Sequence, residues 1–329
     1  MSSPTKIFRV SRRGFLVRTA LIAGGMASGL RGSGAQTATP GGAPALRVLF
    51  ATDAHLMVDD ALRSEQGLAA CLEAVRELRP EPDFILFGGD LTHETPELDF
   101  PSAERLLDRF LTLWRAHTDL PTFFAFGNHD LAGTKNRALD REDPRFGKGL
   151  FRSRLGLERL SYAFEKGGWR FIIVDDVTPE PDGSYIGAFG AQELSFLRSE
   201  LEAHPQAPTV ICTHIPPVSV LPSLSITGAV EVVGTRLETP ASLVLANARE
   251  LHRVLVETKA DVKLVLAGHL HHLEEIQVDG VRYLTGGAIC GNWWKGSQNG
   301  CPEGFTVLDL YPDGTARAEY RSYNWKAAG

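Results

Sequence analysis

The sequence predicts an α/β protein, a four-layer αββα sandwich of two mixed sheets. Three observations carry that expectation. Short hydrophobic runs with β-branched residues alternate with helical patterns through the first half of the chain. Near the end, strand follows strand with no helix between them, which a uniform parallel sheet does not allow. No internal repeat divides the 329 residues, a length that allows one large α/β domain or two small ones.

In order, residues 36–45 are rich in Gly, Pro, Ala and Thr and read as a linker. The expected domain covers residues 46–325. A strand is predicted at Leu46–Ala51, then a helix at Glu65–Leu78, where Leu68, Leu72 and Val75 recur at helical spacing. Strand Phe84–Phe87, helix Ala103–His117 and strand Thr122–Phe126 repeat the alternation. Strands at Leu160–Glu165 and Arg170–Asp175 precede a helix at Gln192–Ala203 and a strand at Thr209–Thr213. Helix Ala248–Thr258 and strand Lys263–Ala267 follow. Strands Glu275–Val278, Val281–Leu284 and Phe305–Leu310 close the series. The stretches Leu131–Leu160 and Pro216–Ala246 lack periodicity and read as surface insertions, a length at which lids occur.

Polar residues gather just beyond the strand ends. The first strand runs into Asp53-Ala54-His55, the second into Gly88-Gly89-Asp90, the third into Gly127-Asn128-His129-Asp130. "TVICTHIPP" delivers His214, and "KLVLAGHLHH" delivers His269 and His271. Each alone has an ordinary explanation as a solvated turn or a satisfied polar residue. Five strands presenting carboxylate, imidazole or amide where α/β sheets place their sites do not.

In this order the motifs D-x-H, G-D, G-N-H-D, a separate H and G-H-x-H resemble the calcineurin-like metallophosphoesterase superfamily, from Asp53 to His271. The resemblance implies a binuclear centre with Asp90 as the bridging ligand. Asp53, His55 and His271 would complete one metal, and Asn128, His214 and His269 the other. His129 carries over as a catalytic residue that binds no metal. The cofactors implied are two divalent or mixed-valence transition metal ions, and mixed N/O ligands suit Mn, Fe and Zn alike. A hydroxide generated at such a pair attacks phosphorus, while His129 serves the leaving oxygen.

The first 35 residues resemble a twin-arginine signal. Ser11-Arg12-Arg13-Gly14-Phe15-Leu16 precedes a mild apolar run from Thr19 to Leu30 and the small residues Ser33-Gly34-Ala35. The implied partner is the Tat export machinery, and the implied location periplasmic or secreted. Residues 1–35 hold six basic residues (Lys6, Arg9, Arg12, Arg13, Arg18, Arg31) and no acid. The remainder therefore carries 28 basic and 40 acidic residues, a formal charge of −12 against −6 for the whole chain. Such a surface repels long nucleic acids but leaves a small phosphate ester as a substrate. No segment is apolar enough to span a membrane in the mature chain.

The sequence departs from the family three residues after Asp90, where His93 stands. Related phosphoprotein phosphatases carry a carboxylate there that orients the catalytic histidine, and purple acid phosphatases a metal-binding tyrosine. His93 reads as a phosphate contact, a support for a ligand, or a loop residue. Asp130 could orient His129 or cap the following turn. In "CGNWWKGSQNGC", Asn292, Trp293 and Trp294 form either a wall on which a flat group stacks or packed loop aromatics. Cys290 and Cys301 flank that loop, and an oxidising compartment permits a disulfide between them. Cys71 and Cys212 read as core.

The expected function is metal-dependent hydrolysis of a phosphate ester. "THIPP" and "GNHD" resemble the cyclic-nucleotide phosphodiesterase branch, so a small phosphodiester is the first expectation. A phosphomonoesterase is the alternative. A non-catalytic metal-binding module is a third reading, against which the full ligand set with His129 argues.

Overall fold

The computed structural model describes residues 42–224 and 230–328. The expected signal segment and linker residues 36–41 lie outside the described residues. The elements begin β1 (Leu46–Ala51), α1 (Ser64–Arg76), β2 (Phe84–Phe87), α2 (Phe100–His117), β3 (Thr122–Phe124) and α3 (Gly149–Arg154). They continue with β4 (Tyr162–Lys166), β5 (Trp169–Ile173), β6 (Val177–Pro179), β7 (Tyr185–Gly187), α4 (Ala191–Ala203) and β8 (Thr209–Cys212). Next come β9 (Glu231–Val233), β10 (Arg236–Glu238), α5 (Ala248–Thr258) and β11 (Val262–Ala267). The chain closes with β12 (Leu273–Val278), β13 (Val281–Gly286), β14 (Gly304–Leu310) and β15 (Ala316–Ser322).

Two mixed sheets face each other. One has the strand order β15-β14-β1-β2-β3, the other β12-β13-β11-β8-β5-β4. Within the first, β1, β2 and β3 run parallel, β14 pairs antiparallel with β1, and β15 pairs antiparallel with β14. Within the second, β5, β8, β11 and β13 run parallel, flanked by antiparallel β4 and β12.

Period-2 alternation along the strands makes three apolar layers. Leu49 and Ala51 of β1, with Ile85 and Phe87 of β2, pack on Leu68, Leu72 and Val75 of α1 and on Leu107, Phe110 and Trp114 of α2. Val48 and Phe50, with Phe84 and Leu86, point the other way and meet Phe171, Val210, Leu264 and Leu266 between the sheets. The Phe84 and Phe171 rings meet edge to face there at 5.1 Å, bridging the two sheets. Ile172, Ile211 and Val265 face outward onto Leu197 and Leu201 of α4 and Val254 and Leu255 of α5. Each such side chain, removed from water, contributes roughly 1.5–3 kcal/mol. The architecture is the αββα sandwich expected.

Local sequence explains the boundaries that moved. The helix α2 starts three residues earlier than its apolar spacing suggests, because Asp99 accepts the Ser102 N–H as an N-cap and proline occupies the first turn. The strand β3 ends at Phe124, two residues short of expectation. The helix α3, the ribbon β6–β7, the hairpin β9–β10 and the edge strand β15 were not anticipated. Both β9 and β10 are exposed at every residue, so neither has a buried face to impose alternation. The two expected insertions contain α3 and the β9–β10 hairpin respectively.

Candidate metal centre

All seven expected metal ligands follow parallel strands at their C-terminal ends. Asp53 and His55 follow β1, Asp90 follows β2, Asn128 follows β3, His214 follows β8, and His269 and His271 follow β11. The loops are tied together by backbone: Asp53 N–H donates to Gly89 O and His55 N–H to Asp90 O. Asp53, His55, Asp90, His269 and His271 have φ values of 55°, 43°, 58°, 71° and 54°. L-residues adopt that left-handed region at a cost, and five such residues converging on one point is the pattern of strain held at a functional site. Two glycines allow the loops to approach. A Cβ on Gly127 would lie 2.2 Å from Asp90 N and Oδ1, and one on Gly268 2.1 Å from Thr52 Oγ1.

The Asp90 carboxylate stands between two groups of donors. Its Oδ2 is 3.4 Å from His55 Nε2 and 3.3 Å from His214 Nε2. On one side, Asp53 Oδ1 lies 3.7 Å from His55 Nε2 and 3.4 Å from His271 Nε2, and the two imidazole nitrogens are 3.1 Å apart. On the other, His214 Nε2 is 2.9 Å from Asn128 Oδ1, and His214 and His269 gather with Asp90. Except for half-buried His269, these side chains are buried.

Whether cations fit can be read from the hydrogen bonds. His214 Nδ1 lies 2.8 Å from Gly88 O, His271 Nδ1 2.6 Å from Gly291 O, and His269 Nε2 2.7 Å from Ser242 O. A carbonyl only accepts, so each of these nitrogens donates, and in the neutral ring the lone pair falls on the nitrogen facing the carboxylates. Acceptors thus converge on acceptors, an arrangement that needs a proton or a cation between them. Without metal the field calls for the proton. Burial disfavours charge on His214, but Asp90, then Asp53 and Asp176, outweigh it and push its pKa up to about 10. His271 is likewise raised: burial lowers it, and Cys290 and Asp53 raise it further. Burial holds His55 down to about 3 and, with the charge on His214, His269 down to about 4. The donor set fits two cations sharing Asp90.

His93 connects this shell to His129. The His129 Nδ1 lies 2.6 Å from the His93 carbonyl, so it donates there and Nε2 is left for substrate. The two rings stack with centroids 4.8 Å apart, and His93 Nδ1 is 3.2 Å from His55 Nδ1. A backbone carbonyl therefore orients His129. Asp130 does not touch the His129 ring; its carboxylate accepts the N–H groups of Asp90, Leu91 and Gly127. It fixes the loop that carries the shared carboxylate. In turn, Asp90 Oδ1 accepts the His129 N–H at 2.7 Å.

The tryptophan loop divides. Trp293 packs against the His271 ring at 4.7 Å and lies 6.2 Å from His55, half-buried at the rim. Trp294, expected beside it, is fully buried under α1, and its indole N–H donates to His55 O. It cannot offer a face to substrate, because its ring fills the apolar layer and its polar edge holds a ligand's backbone. Asn292 sits in the turn, its N–H donating to Gly296 O. Cys290 and Cys301 are free thiols rather than a disulfide. Cys290 Sγ faces His271 Nδ1 and Gly291 O, whereas Cys301 Sγ donates toward Pro302 O.

The sequence reading missed several supports. Asp176 accepts the N–H groups of His214 and Ile215. The "VDD" run ending β5 was a strand-end polar signal that could have found it. Ser242 and Tyr185 had no such signal. Tyr185, on the ribbon β6–β7, comes edge-on to the His269 ring at 6.1 Å.

Comparison with known proteins adds to this geometry. The model of the calcineurin-like phosphoesterase family matches residues 46–273. A 3',5'-cyclic-nucleotide phosphodiesterase of Nostoc sp. is 30% identical over 274 residues, 80% of this chain and 87% of the relative. A cAMP/cGMP dual specificity phosphodiesterase of Mycobacterium tuberculosis is 26% identical over 281 residues, 81% of this chain and 76% of the relative. A dimetal phosphatase from Danio rerio shares the fold, with a TM-score of 0.59 at 15% identity over 85% of this chain and 97% of that one.

Proposed function

The chain belongs to the calcineurin-like phosphoesterase family, and on that premise we propose that it hydrolyses small phosphodiesters, cyclic nucleotides first among them, at a binuclear metal centre. The observation that carries this is one buried carboxylate, Asp90, placed between two donor groups. Cations held there, as Mn, Fe or Zn, would supply Lewis acidity toward the phosphoryl oxygens and a hydroxide nucleophile at neutral pH. Asp53, His55 and His271 would hold one, and Asn128, His214 and His269 the other. Outer hydrogen bonds from His214, His269 and His271 to backbone carbonyls fix their tautomers. His129, anchored through Nδ1 to His93 O, presents Nε2 to protonate the leaving oxygen. The names of the two bacterial relatives support the diester preference.

The same proposal includes export by the twin-arginine route to the periplasm, supported by Ser11-Arg12-Arg13-Gly14-Phe15-Leu16 and the small residues ending at Ala35.

Turnover of 3',5'-cyclic nucleotides, bis-nitrophenyl phosphate and nitrophenyl phosphate, with metal content per chain, tests the function. Hydrolysis of the diesters with two metals per chain is expected. Asp90→Asn should abolish activity and lose more metal than Asp53→Asn or His214→Ala. Turnover of monoesters alone would overturn the diester reading, and full metal occupancy in Asp90→Asn would overturn the shared ligand.

A further inference from the structure

The hairpin β9–β10 belongs to neither main sheet and pairs with no other strand among the described residues. Every residue of its two strands is exposed, Val232 at 75% and Leu237 at 65%. From this hairpin we propose that the outer edge of β10 joins the same edge of a second copy of the chain. The two hairpins then form one four-stranded antiparallel sheet across a two-fold axis at Leu237.

The backbone is phased for that pairing. Val233 pairs with Arg236 across the turn Gly234-Thr235, where Gly234 takes a φ of 63°. The pair flanking a two-residue turn exchanges hydrogen bonds within the hairpin, and bonded and non-bonded pairs alternate from there. Leu237, opposite Val232, is therefore in a non-bonded pair and turns its N–H and C=O away from β9. An antiparallel copy centred on Leu237 satisfies both groups at once.

The side chains agree with the backbone. In the two-fold register, Arg236 faces Glu238 of the partner subunit, and Glu238 faces Arg236 of the partner subunit. Opposite charges directly across a ladder stabilise it, and like charges oppose it. Charges on an edge ordinarily keep strands apart, but here the two signs flank the axis so that the edge matches its own image. Leu237 and Val232, cross-strand neighbours, share the other face, so the two copies align four apolar side chains in one row. The edge of β9 lacks this property, because a two-fold axis at Val232 would set Glu231 against Val233 of the partner subunit. Most of the large apolar side chains exposed among the described residues, Val220, Leu224, Val232, Val233 and Leu237, belong to this one insertion. Such a concentration marks an association surface. An edge this short covers less than the ~1,200 Å² of a standard interface, so the dimer should be reversible.

No ligand of the metal centre lies in the hairpin, so association can be read without turnover. Sedimentation equilibrium of the full chain over a concentration series should show monomer and dimer in exchange. Arg236→Glu and Glu238→Arg each place like charges at both crossings beside the axis, and each alone should weaken the dimer by about tenfold. Mixed in equal amounts, the two variants face unlike charges at both crossings and should form a heterodimer within roughly threefold of the wild-type affinity. Recovery on mixing also guards against misfolding, since two chains without a hairpin edge could not restore each other. Leu237→Pro removes the outward N–H while sparing the β9 ladder and should leave monomer. A wild type that stays monomeric throughout the series overturns the proposal. So does a dimer that the charge reversals or Leu237→Pro leave unchanged, which sits on another surface. Loss in both charge variants without recovery on mixing overturns the two-fold register.

Discussion

His129 shares a strand-end turn with Asn128, yet the two side chains are held for different work. Asn128 Oδ1 points to His214 Nε2, among the donors, whereas the His129 ring is held by its bond to His93 O and by stacking on the His93 ring, edge-on to His55 at 4.7 Å. On the proposed function, a residue so held would contribute to proton transfer without holding metal. His129→Ala should therefore keep both metals while kcat falls by ~10²–10⁴. The loss should shrink for nitrophenyl esters, whose leaving groups need no proton, relative to alkyl esters. Metal analysis and a leaving-group series check both points. An equal loss across the series would assign His129 another role.

At the scale of elements, the loop from Ala288 to Cys301 carries two tryptophans with φ values of 47° and 69°. Consecutive left-handed residues send the two indoles to different places. Trp294 goes inward, against Gly67 of α1, and donates to His55 O. Trp293 stays at the rim against His271. Single substitutions should separate them. Trp294→Ala should cost about 3–5 kcal/mol of stability, visible as a lower Tm, because it opens a cavity in the helix-facing layer. Trp293→Ala should leave Tm nearly unchanged and raise KM for a nucleotide by roughly tenfold, since a stacked base is worth ~1–3 kcal/mol. Small esters should barely respond. If Trp294→Ala melts like wild type while Trp293→Ala unfolds the protein, the assignment of the two indoles is reversed.

At the scale of the molecule, the centre lies where both sheets end, with ligands following β1, β2 and β3 of one and β8 and β11 of the other. Cations bound there would join the two halves of the sandwich, so their binding would add to the stability of the folded state. A route that exports folded protein suits such a chain, because the metals can be acquired before transport. On the proposed export route, Arg12→Lys combined with Arg13→Lys should therefore leave active, metal-loaded protein in the cytoplasm, while the natural sequence should deliver it to the periplasm. Cell fractionation followed by activity measurement decides this. Equal periplasmic activity from the paired variant would remove the twin-arginine assignment.

The strands, the principal helices and the positions of all seven expected ligands were legible in the sequence for one physical reason. Each is a local signal, an apolar spacing of fixed period or a polar residue just beyond such a run. Such a signal places Asp53, Asp90 and His214 at strand ends without any knowledge of what lies opposite. What the tertiary structure alone decided is how distant segments pair. Nothing near Asp130 in the chain says that its carboxylate will clamp Asp90 and Leu91, 40 and 39 residues away, rather than turn to His129. Nothing in "NWW" tells the buried indole from the exposed one. Both tryptophans carry the same side chain, and only the layer between α1 and β1 chooses which is enclosed. His129 and Tyr185 line one cavity across more than fifty residues because the β6–β7 ribbon folds back over it. Periodicity is a property of neighbours along the chain, whereas a cavity is a property of neighbours in space.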